Sequence, residues 1–144
     1  MTCKATLFAI SMVLAGFQAG SAIAQEESEI DCGNPVTQAD MNICAGRDFE
    51  AADAELNAAW KKVKAAMAET DRDLRETSPE LVGAVDALLK GQRGWIDYRD
   101  GQCETYGFEA RGGTMEPMLV SGCMAELTRA RSKELLSLID HSGQ

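Results

Sequence analysis

The chain has 144 residues, which is enough for one domain with a modest hydrophobic core. Its 23 acidic residues outnumber the 14 lysines and arginines, so the formal net charge is −9. This charge argues against nucleic acid and anionic membrane surfaces as partners and favours a basic protein partner. An equally good interpretation is that the acidity only keeps the protein soluble.

Residues 1–24 are predicted to be a secretory signal peptide that does not contribute to the fold. Lys4 gives a positive start, residues 5–19 form an uncharged apolar run, and Ala22-Ile23-Ala24 is a small-x-small cleavage site before Gln25. Cleavage near Ala24 and Gln25 is therefore expected.

Export without a membrane anchor follows from this prediction. The apolar run of residues 5–19 is too short for a convincing membrane span. Cys3 precedes that run, whereas the cysteine of a lipid anchor would follow it. We therefore expect residues 25–144 to form one domain that is periplasmic or secreted. Loss of Lys4 with the signal peptide changes the formal charge from −9 to −10.

The first predicted helix begins after Thr37, whose hydroxyl group can cap it. Apolar residues then recur every three or four positions, which extends the helix to about Glu69. Asp53 lies on the same side as these apolar residues. Residues 70–77 have little apolar periodicity and are interpreted as a connection or a frayed helix end.

The second predicted helix runs from about Pro79 to Tyr106. Ser78 can cap it, and proline is well tolerated at the first helical position. The apolar residues of its inner side are Val85, Leu88, Ile96 and Cys103, with Leu89, Trp95 and Tyr106 beside them. Gln92 and Arg99 interrupt this apolar side. A buried cation without a partner is heavily penalised, so the rest of the fold must supply partners for these two side chains.

The third predicted helix follows residues 107–113, the clearest loop of the chain. Thr114 is predicted to cap it, and Pro117 falls in its first turn, where proline is tolerated. Arg131 interrupts its apolar side. Because no strand-like alternation is present, the predicted fold is all-α, a small antiparallel three-helix bundle with two disulfides.

The disulfide prediction rests on four cysteines, Cys32, Cys44, Cys103 and Cys123, that remain after cleavage. An even number of cysteines in a small exported domain indicates disulfide bonds. Three pairings are possible, and we favour Cys32 with Cys44 and Cys103 with Cys123 because each closes a short local loop. A zinc site is not expected, because no C-x-x-C spacing is present and the single histidine, His141, lies in the tail.

Polar residues on the inner sides of all three predicted helices suggest a buried cluster. The simplest hypothesis pairs Asp53 with Arg99, Arg131 or both, while Gln92 and Asn57 fill the remaining hydrogen bonds. We favour a structural role in which the cluster fixes how the helices pack. The functional alternative is a cluster open to a groove that binds an anionic ligand.

Catalysis has little support in the sequence. A Ser/His or Cys/His site needs a histidine near its nucleophile, and His141 is close to the end of the chain. No motif selects a pair of carboxylates, and no glycine-rich phosphate loop or calcium loop is present. We therefore predict a protein that is not an enzyme and that needs no cofactor or metal.

Short motifs run in one order through residues 31–138. They are Asp31-Cys32, Thr37-Gln-Ala-Asp-Met-Asn42, Cys44, Ala52-Asp-Ala-Glu-Leu-Asn57, Gln92-Arg-Gly-Trp95, Tyr98-Arg99, Cys103, Gly112-Gly113, Cys123, Leu127-Thr128 and Arg131. In this order they resemble the LprI-type lysozyme inhibitor N-terminal domain family of small exported bacterial proteins. The resemblance implies an all-helical, disulfide-bonded domain that inhibits lysozyme.

This resemblance suggests a mechanism and leaves one alternative. Animal lysozymes are typically basic, so an acidic domain would be steered toward them. The loop of residues 107–114, with Arg111 beside Gly112-Gly113, is our hypothesis for the element that enters the lysozyme cleft. Tyr98 is a further expected surface contact. The alternative is a periplasmic helical module whose partner is an unrelated envelope protein or a small ligand.

Overall fold

Three α-helices joined by short turns make up residues 30–140, the part of the chain that the structure, a computed structural model, describes. The helices are α1 (Gln38–Thr77), α2 (Ala84–Gly107) and α3 (Glu116–Asp140), and short 3-10 helices lie at Pro79–Leu81 and Phe108–Ala110. Residues 30–140 contain no strand. The predicted all-α fold is therefore confirmed.

Some predictions from the sequence concern residues that the structure does not describe. The signal peptide of residues 1–24, its cleavage before Gln25 and the position of His141 in the tail all lie outside the described residues. Within residues 30–140, none of the helices combines the length with the apolarity that a membrane crossing requires.

The helices form an up-down-up bundle built along α1. With 40 residues, α1 is about 60 Å long. The carboxylate of Asp71, near its end, accepts a hydrogen bond from the backbone N–H of Gly83 at the start of α2. Asn42, near its beginning, donates to the carbonyl oxygen of Thr114 just before α3. The second helix therefore runs antiparallel to the other two, as predicted.

A reciprocal pair of hydrogen bonds starts α1 where the sequence predicts. The Thr37 hydroxyl accepts from the backbone N–H of Asp40 at 3.1 Å, and the Asp40 carboxylate accepts from the backbone N–H of Thr37 at 3.0 Å. This is a capping box. The same Thr37 backbone and hydroxyl contacts hold the pKa of Asp40 below its ordinary value.

The connection between α1 and α2 is shorter and later than predicted. Residues 70–77 are helical throughout, so α1 extends to Thr77. Ser78 does not start α2, because residues 79–81 form only a 3-10 turn and the α-helix begins at Ala84. Its N-terminus is capped by Asp71, a side chain twelve residues earlier in the chain. This long-range cap has no local signature in the sequence.

The start of α3 also differs from the prediction. The helix begins at Glu116, with Pro117 in its first turn as expected. Thr114 does not cap it, because this residue lies two positions before the helix and uses its carbonyl oxygen to accept from Asn42. The carboxylate of Glu116 closes the preceding turn by accepting from the backbone N–H of Gly112 at 2.7 Å.

The core contains one aliphatic cluster and one seam of small residues. The aliphatic cluster consists of Leu56, Val63, Leu88 and Leu135, with Trp60, Met67, Trp95 and Ile139 packed against it. The buried small residues of α1 and α3 are Ala52, Ala59, Ala125, Thr128 and Ser132. Small side chains allow two helix backbones to approach closely, which explains why α1 packs chiefly on α3. On α2, Ile96 is exposed although the apolar pattern placed it inside.

Both predicted disulfides are present. Cys32 is bonded to Cys44, which ties the segment before α1 to the second turn of that helix. Cys103 is bonded to Cys123, which ties α2 to α3, and Cys103 is fully buried. The two bonds brace the same end of the bundle, the end that carries the loop between α2 and α3.

Candidate binding surfaces

The loop between α2 and α3, residues 108–115, is a compact turn centred on Arg111. The guanidinium group of Arg111 forms an ion pair with Glu116 at 2.7 Å and lies 4.4 Å from the centre of the Phe108 ring. Gly112 adopts φ 75°, a left-handed conformation that glycine adopts without strain. The N–H of Gly112 and the Arg111 cation together lower the pKa of Glu116. The loop therefore presents a fixed cation, whose side chain is 53% exposed.

The structure places the other predicted contact residues in two locations. Gly112 and Gly113 are exposed beside Arg111, as expected for a protruding loop. Tyr98 is also exposed, but it lies about 15 Å along α2 from Phe108. It belongs to a neighbouring groove rather than to the loop. Whether these residues bind a partner stays a prediction.

That groove, which we call the tyrosine groove, has a volume of about 630 Å³ and involves all three helices. Its apolar lining comes mainly from Tyr98, Tyr106, Met118, Leu119 and Leu127, and it also contains the acidic residues Asp48 and Glu126. The groove therefore combines an apolar surface with negative charge, which suits a basic protein partner.

The two acids of the tyrosine groove differ in their partners. Asp48 forms a two-pronged ion pair with Arg129, with distances of 2.6 and 2.9 Å, which links α1 to α3. The Arg129 guanidinium holds the pKa of Asp48 below its ordinary value, and the Asp48 carboxylate in turn raises the pKa of Arg129. Glu126 has no ion pair within residues 30–140. Glu126 is therefore the carboxylate that remains available to a cation from outside.

Sequence reasoning missed part of this surface. The apolar pattern of α2 predicts Tyr106 beside its buried side, yet this residue is 44% exposed. With Tyr98, Phe108 and Met115, it adds to the exposed large apolar side chains at the end of the bundle that the two disulfides brace. Exposed apolar surface of this kind is typical of interaction sites. The eight-residue spacing of Tyr98 and Tyr106, two helical turns, is the sequence signal that identifies their shared face.

The partners of the Arg99 guanidinium group differ from those predicted. Its guanidinium group pairs with Asp100 at 2.8 Å and donates to the hydroxyl of Thr128 at 3.4 Å. It also lies 5.3 Å from the ring centre of Phe49 and 5.1 Å from that of Trp95. Asp100 sits on the same helix and remains half exposed, so this pairing avoids the cost of burying a second charge.

The predicted ion pairs of Asp53 with Arg99 and Arg131 are wrong. Asp53 instead accepts a hydrogen bond from the side-chain amide of Asn57 at 2.8 Å. Arg131 donates from Nε to the Gln92 side-chain oxygen at 3.1 Å and pairs with Glu134 at 3.1 Å. Each arginine thus finds a carboxylate on its own helix near solvent, and Asp53 is not needed.

Four of the five residues of the predicted polar cluster nevertheless line the same cleft. Asp53, Asn57, Gln92 and Arg99 line a cleft of about 320 Å³ between α1 and α2, which we call the polar cleft. Arg131 reaches it only through its hydrogen bond to Gln92. Among residues 30–140, no three histidine, cysteine or carboxylate side chains are grouped so that they could hold a metal ion.

Comparison with known proteins relates the chain to one family. Residues 31–135 match the family described as "Lysozyme inhibitor LprI". Over 115 residues the chain is 57% identical to an uncharacterised protein of Rhizobium meliloti (strain 1021), an alignment that covers 80% of this chain and 83% of that protein. No solved structure matches the chain.

Proposed function

The chain belongs to the LprI lysozyme inhibitor family, and we propose that it is an exported protein that binds and inhibits a lysozyme or a related muramidase. The observation that carries this proposal is the family match over residues 31–135, which includes all four cysteines of the two disulfides. The role is that of a binding protein and not of an enzyme.

The two disulfides support export. Disulfide bonds form and persist in oxidising compartments such as the periplasm and the cell exterior, and they are rare in the cytosol. By the chain-entropy estimate each adds about 3 kcal/mol to the free energy of unfolding. A domain with so small a buried core needs such support.

We assign the lysozyme contact to the braced end of the bundle, which comprises residues 108–115 and the tyrosine groove. The ion pair of Arg111 with Glu116 and the contact with Phe108 hold the loop before any partner arrives. Binding through a preorganised loop loses less conformational entropy. Tyrosine and arginine are also the side chains that most often dominate the energy of protein interfaces.

Charge complementarity also supports a lysozyme contact at the braced end of the bundle. A chain with a formal charge of −9 attracts a basic enzyme over distances set by the ionic strength. At close range, Glu126 in the groove suits a lysine or arginine of the enzyme. Glycosidases use a pair of carboxyl groups at the reaction centre, one of which is ionised. The N–H groups of Arg111 that its ion pair with Glu116 leaves unused suit this negative charge.

The test is lysis of a peptidoglycan suspension by a basic animal lysozyme, with the oxidised protein titrated from substoichiometric amounts to excess at two salt concentrations. We expect saturable inhibition near a one-to-one ratio that weakens at high salt. Reduced and alkylated protein is the matched control, because it keeps the composition and loses the braced end. Undiminished lysis at a large excess of oxidised protein would contradict the proposal.

A further inference from the structure

We propose that the polar cleft between α1 and α2 is a second binding site, and that its ligand is a small neutral sugar ring carrying an N-acetyl group. The cleft is lined by polar side chains of both helices and by Trp60, Leu89 and Ile96. The proposal is independent of lysozyme binding, which we assign to another surface.

Gln92, one of the two most buried polar side chains that line the cleft, has an unused hydrogen-bond donor. Gln92 is only 9% exposed, and its side-chain oxygen is occupied by the Nε–H of Arg131. No acceptor for the Gln92 side-chain N–H groups is present within residues 30–140. Because none of the fully buried side-chain polar atoms in this range lacks a partner, this nitrogen is accessible to solvent, and the open space that Gln92 lines is the cleft. A ligand oxygen there would satisfy it.

The rim of the cleft supplies acceptors and one further donor group. The Asn57 side-chain N–H donates to one oxygen of Asp53, which leaves the second Asp53 oxygen and the Asn57 oxygen unpaired within residues 30–140. Arg93 lines the same cleft, is exposed, and has no ion pair in the described part of the chain. Together these planar side chains offer both hydrogen-bond donors and hydrogen-bond acceptors, which match the hydroxyl and amide groups of a sugar derivative.

Charge and size narrow the class of ligand. Asp100 neutralises Arg99 and Glu134 neutralises Arg131, while Asp53 offsets Arg93 within the cleft. The site therefore has no net charge, and this argues against the anionic ligand that the sequence suggested. A volume of about 320 Å³ lies at the small end of the usual range for ligand pockets, so it suits a single ring.

The apolar residues that line the cleft are the reason why we propose an N-acetyl group on the ligand. Trp60 can cover the C–H face of a sugar ring, because aromatic rings combine large apolar area with a defined geometry. Leu89 and Ile96 lie in the same lining and suit the acetyl methyl group. The acetyl oxygen is then the natural acceptor for Gln92.

The test is a titration of the full-length protein with N-acetylglucosamine, followed by the NMR signals of the Gln92 side-chain amide and the Trp60 indole N–H. We expect saturable shifts at both groups. Gln92→Glu keeps an oxygen for Arg131 and the size of the side chain but removes the donor, so it should weaken binding about tenfold. Gln102→Glu, the same change on α2 but in the tyrosine groove, is the matched control and should leave the affinity unchanged.

Several outcomes would overturn the proposal. They are a lack of saturable shifts at high sugar concentration, equal affinity for glucose, and tighter binding of acetate ion than of the sugar. A folded Gln92→Glu variant with unchanged affinity would do the same. If that variant does not fold, Asn57→Ala on the exposed rim replaces it, and the same weakening is expected. This measurement does not depend on inhibition of lysozyme. A negative result would therefore contradict the sugar site without contradicting the proposed inhibition of lysozyme.

Discussion

Asp71, near the end of α1, caps α2 by accepting a hydrogen bond at 2.9 Å from the backbone N–H of Gly83. The same carboxylate accepts from the next two backbone N–H groups, those of Ala84 and Val85, at 2.8 and 3.0 Å. Three of the unpaired donors at the helix start are thereby satisfied, and the negative charge faces the positive end of the helix dipole. One side chain thus couples the end of the first helix to the start of the second.

Replacing Asp71 by Ala should lower the Tm, because the start of α2 then loses the only side-chain cap that residues 30–140 supply. We expect a decrease on the order of 5 °C, measured by circular dichroism. Asp73→Ala is the matched control, since Asp73 is exposed on the same helix and its carboxylate accepts no hydrogen bond within residues 30–140. Equal Tm values for the two variants would show that the cap is not needed.

The stabilisation by Asp71 should also depend on pH. The N–H groups of Gly83, Val85 and Ala84 hold the pKa of Asp71 below its ordinary value of 3.8. When folding depresses the pKa of a carboxyl group, that group stabilises the folded state fully at pH values above its ordinary pKa. This stabilisation is lost as the pH falls through the depressed pKa of the folded state. The Tm difference between the native protein and Asp71→Ala should therefore be constant above about pH 5 and shrink below pH 4. A difference that stays constant down to pH 2 would contradict this assignment.

The fold was predictable where the signals are local. Thr37 caps α1 as predicted, and each disulfide joins cysteines close in sequence. The start of α2 was not predictable, because Ser78 and Pro79 form a convincing local start while the actual cap comes from a distant turn of α1. Local signals compete with tertiary contacts, and here the tertiary contact determines where the helix begins.

The candidate sites were predictable only as residue types. The sequence indicated that Gln92 and Arg99 needed partners but could not select them, since many acids were available. Arg99 uses its neighbour Asp100 and two aromatic rings, a solution that needs no buried acid. The prediction for Tyr106 is wrong because α2 has apolar residues on more than one face, and the periodicity does not show which of these faces is buried.

Arg99 should matter much more to stability than Asp53 does. Arg99→Ala removes a buried side chain that contacts Phe49 and Trp95, so we expect a loss of about 2–4 kcal/mol in the free energy of unfolding. Asp53→Ala breaks only a hydrogen bond to exposed Asn57 and should cost less than about 1 kcal/mol. Urea denaturation of both variants measures the difference. A larger loss for Asp53→Ala would restore the ion-pair hypothesis.

The disulfide between Cys103 and Cys123 should stabilise the whole bundle. Its removal by Cys103→Ser with Cys123→Ser should cost about 3 kcal/mol, and the polar hydroxyl in the fully buried Cys103 position adds to this. The matched control is Cys32→Ser with Cys44→Ser, which releases only the exposed segment before α1. We expect the first variant to lose more stability in urea denaturation. The reverse order would show that the N-terminal bond is the more important one.

Arg111 should be needed for lysozyme inhibition but not for folding. Its side chain is about half exposed and its ion pair with Glu116 lies at the surface, where such pairs stabilise little. Arg111→Ala should therefore change the Tm only slightly and weaken inhibition at least about tenfold if the loop enters the enzyme. Arg72→Ala is the matched control, because Arg72 also forms an exposed ion pair, with Glu69, but at the opposite end of α1. Equal inhibition by the two variants would move the contact away from residues 108–115 and leave the tyrosine groove as the surface to test, through Tyr98→Ala.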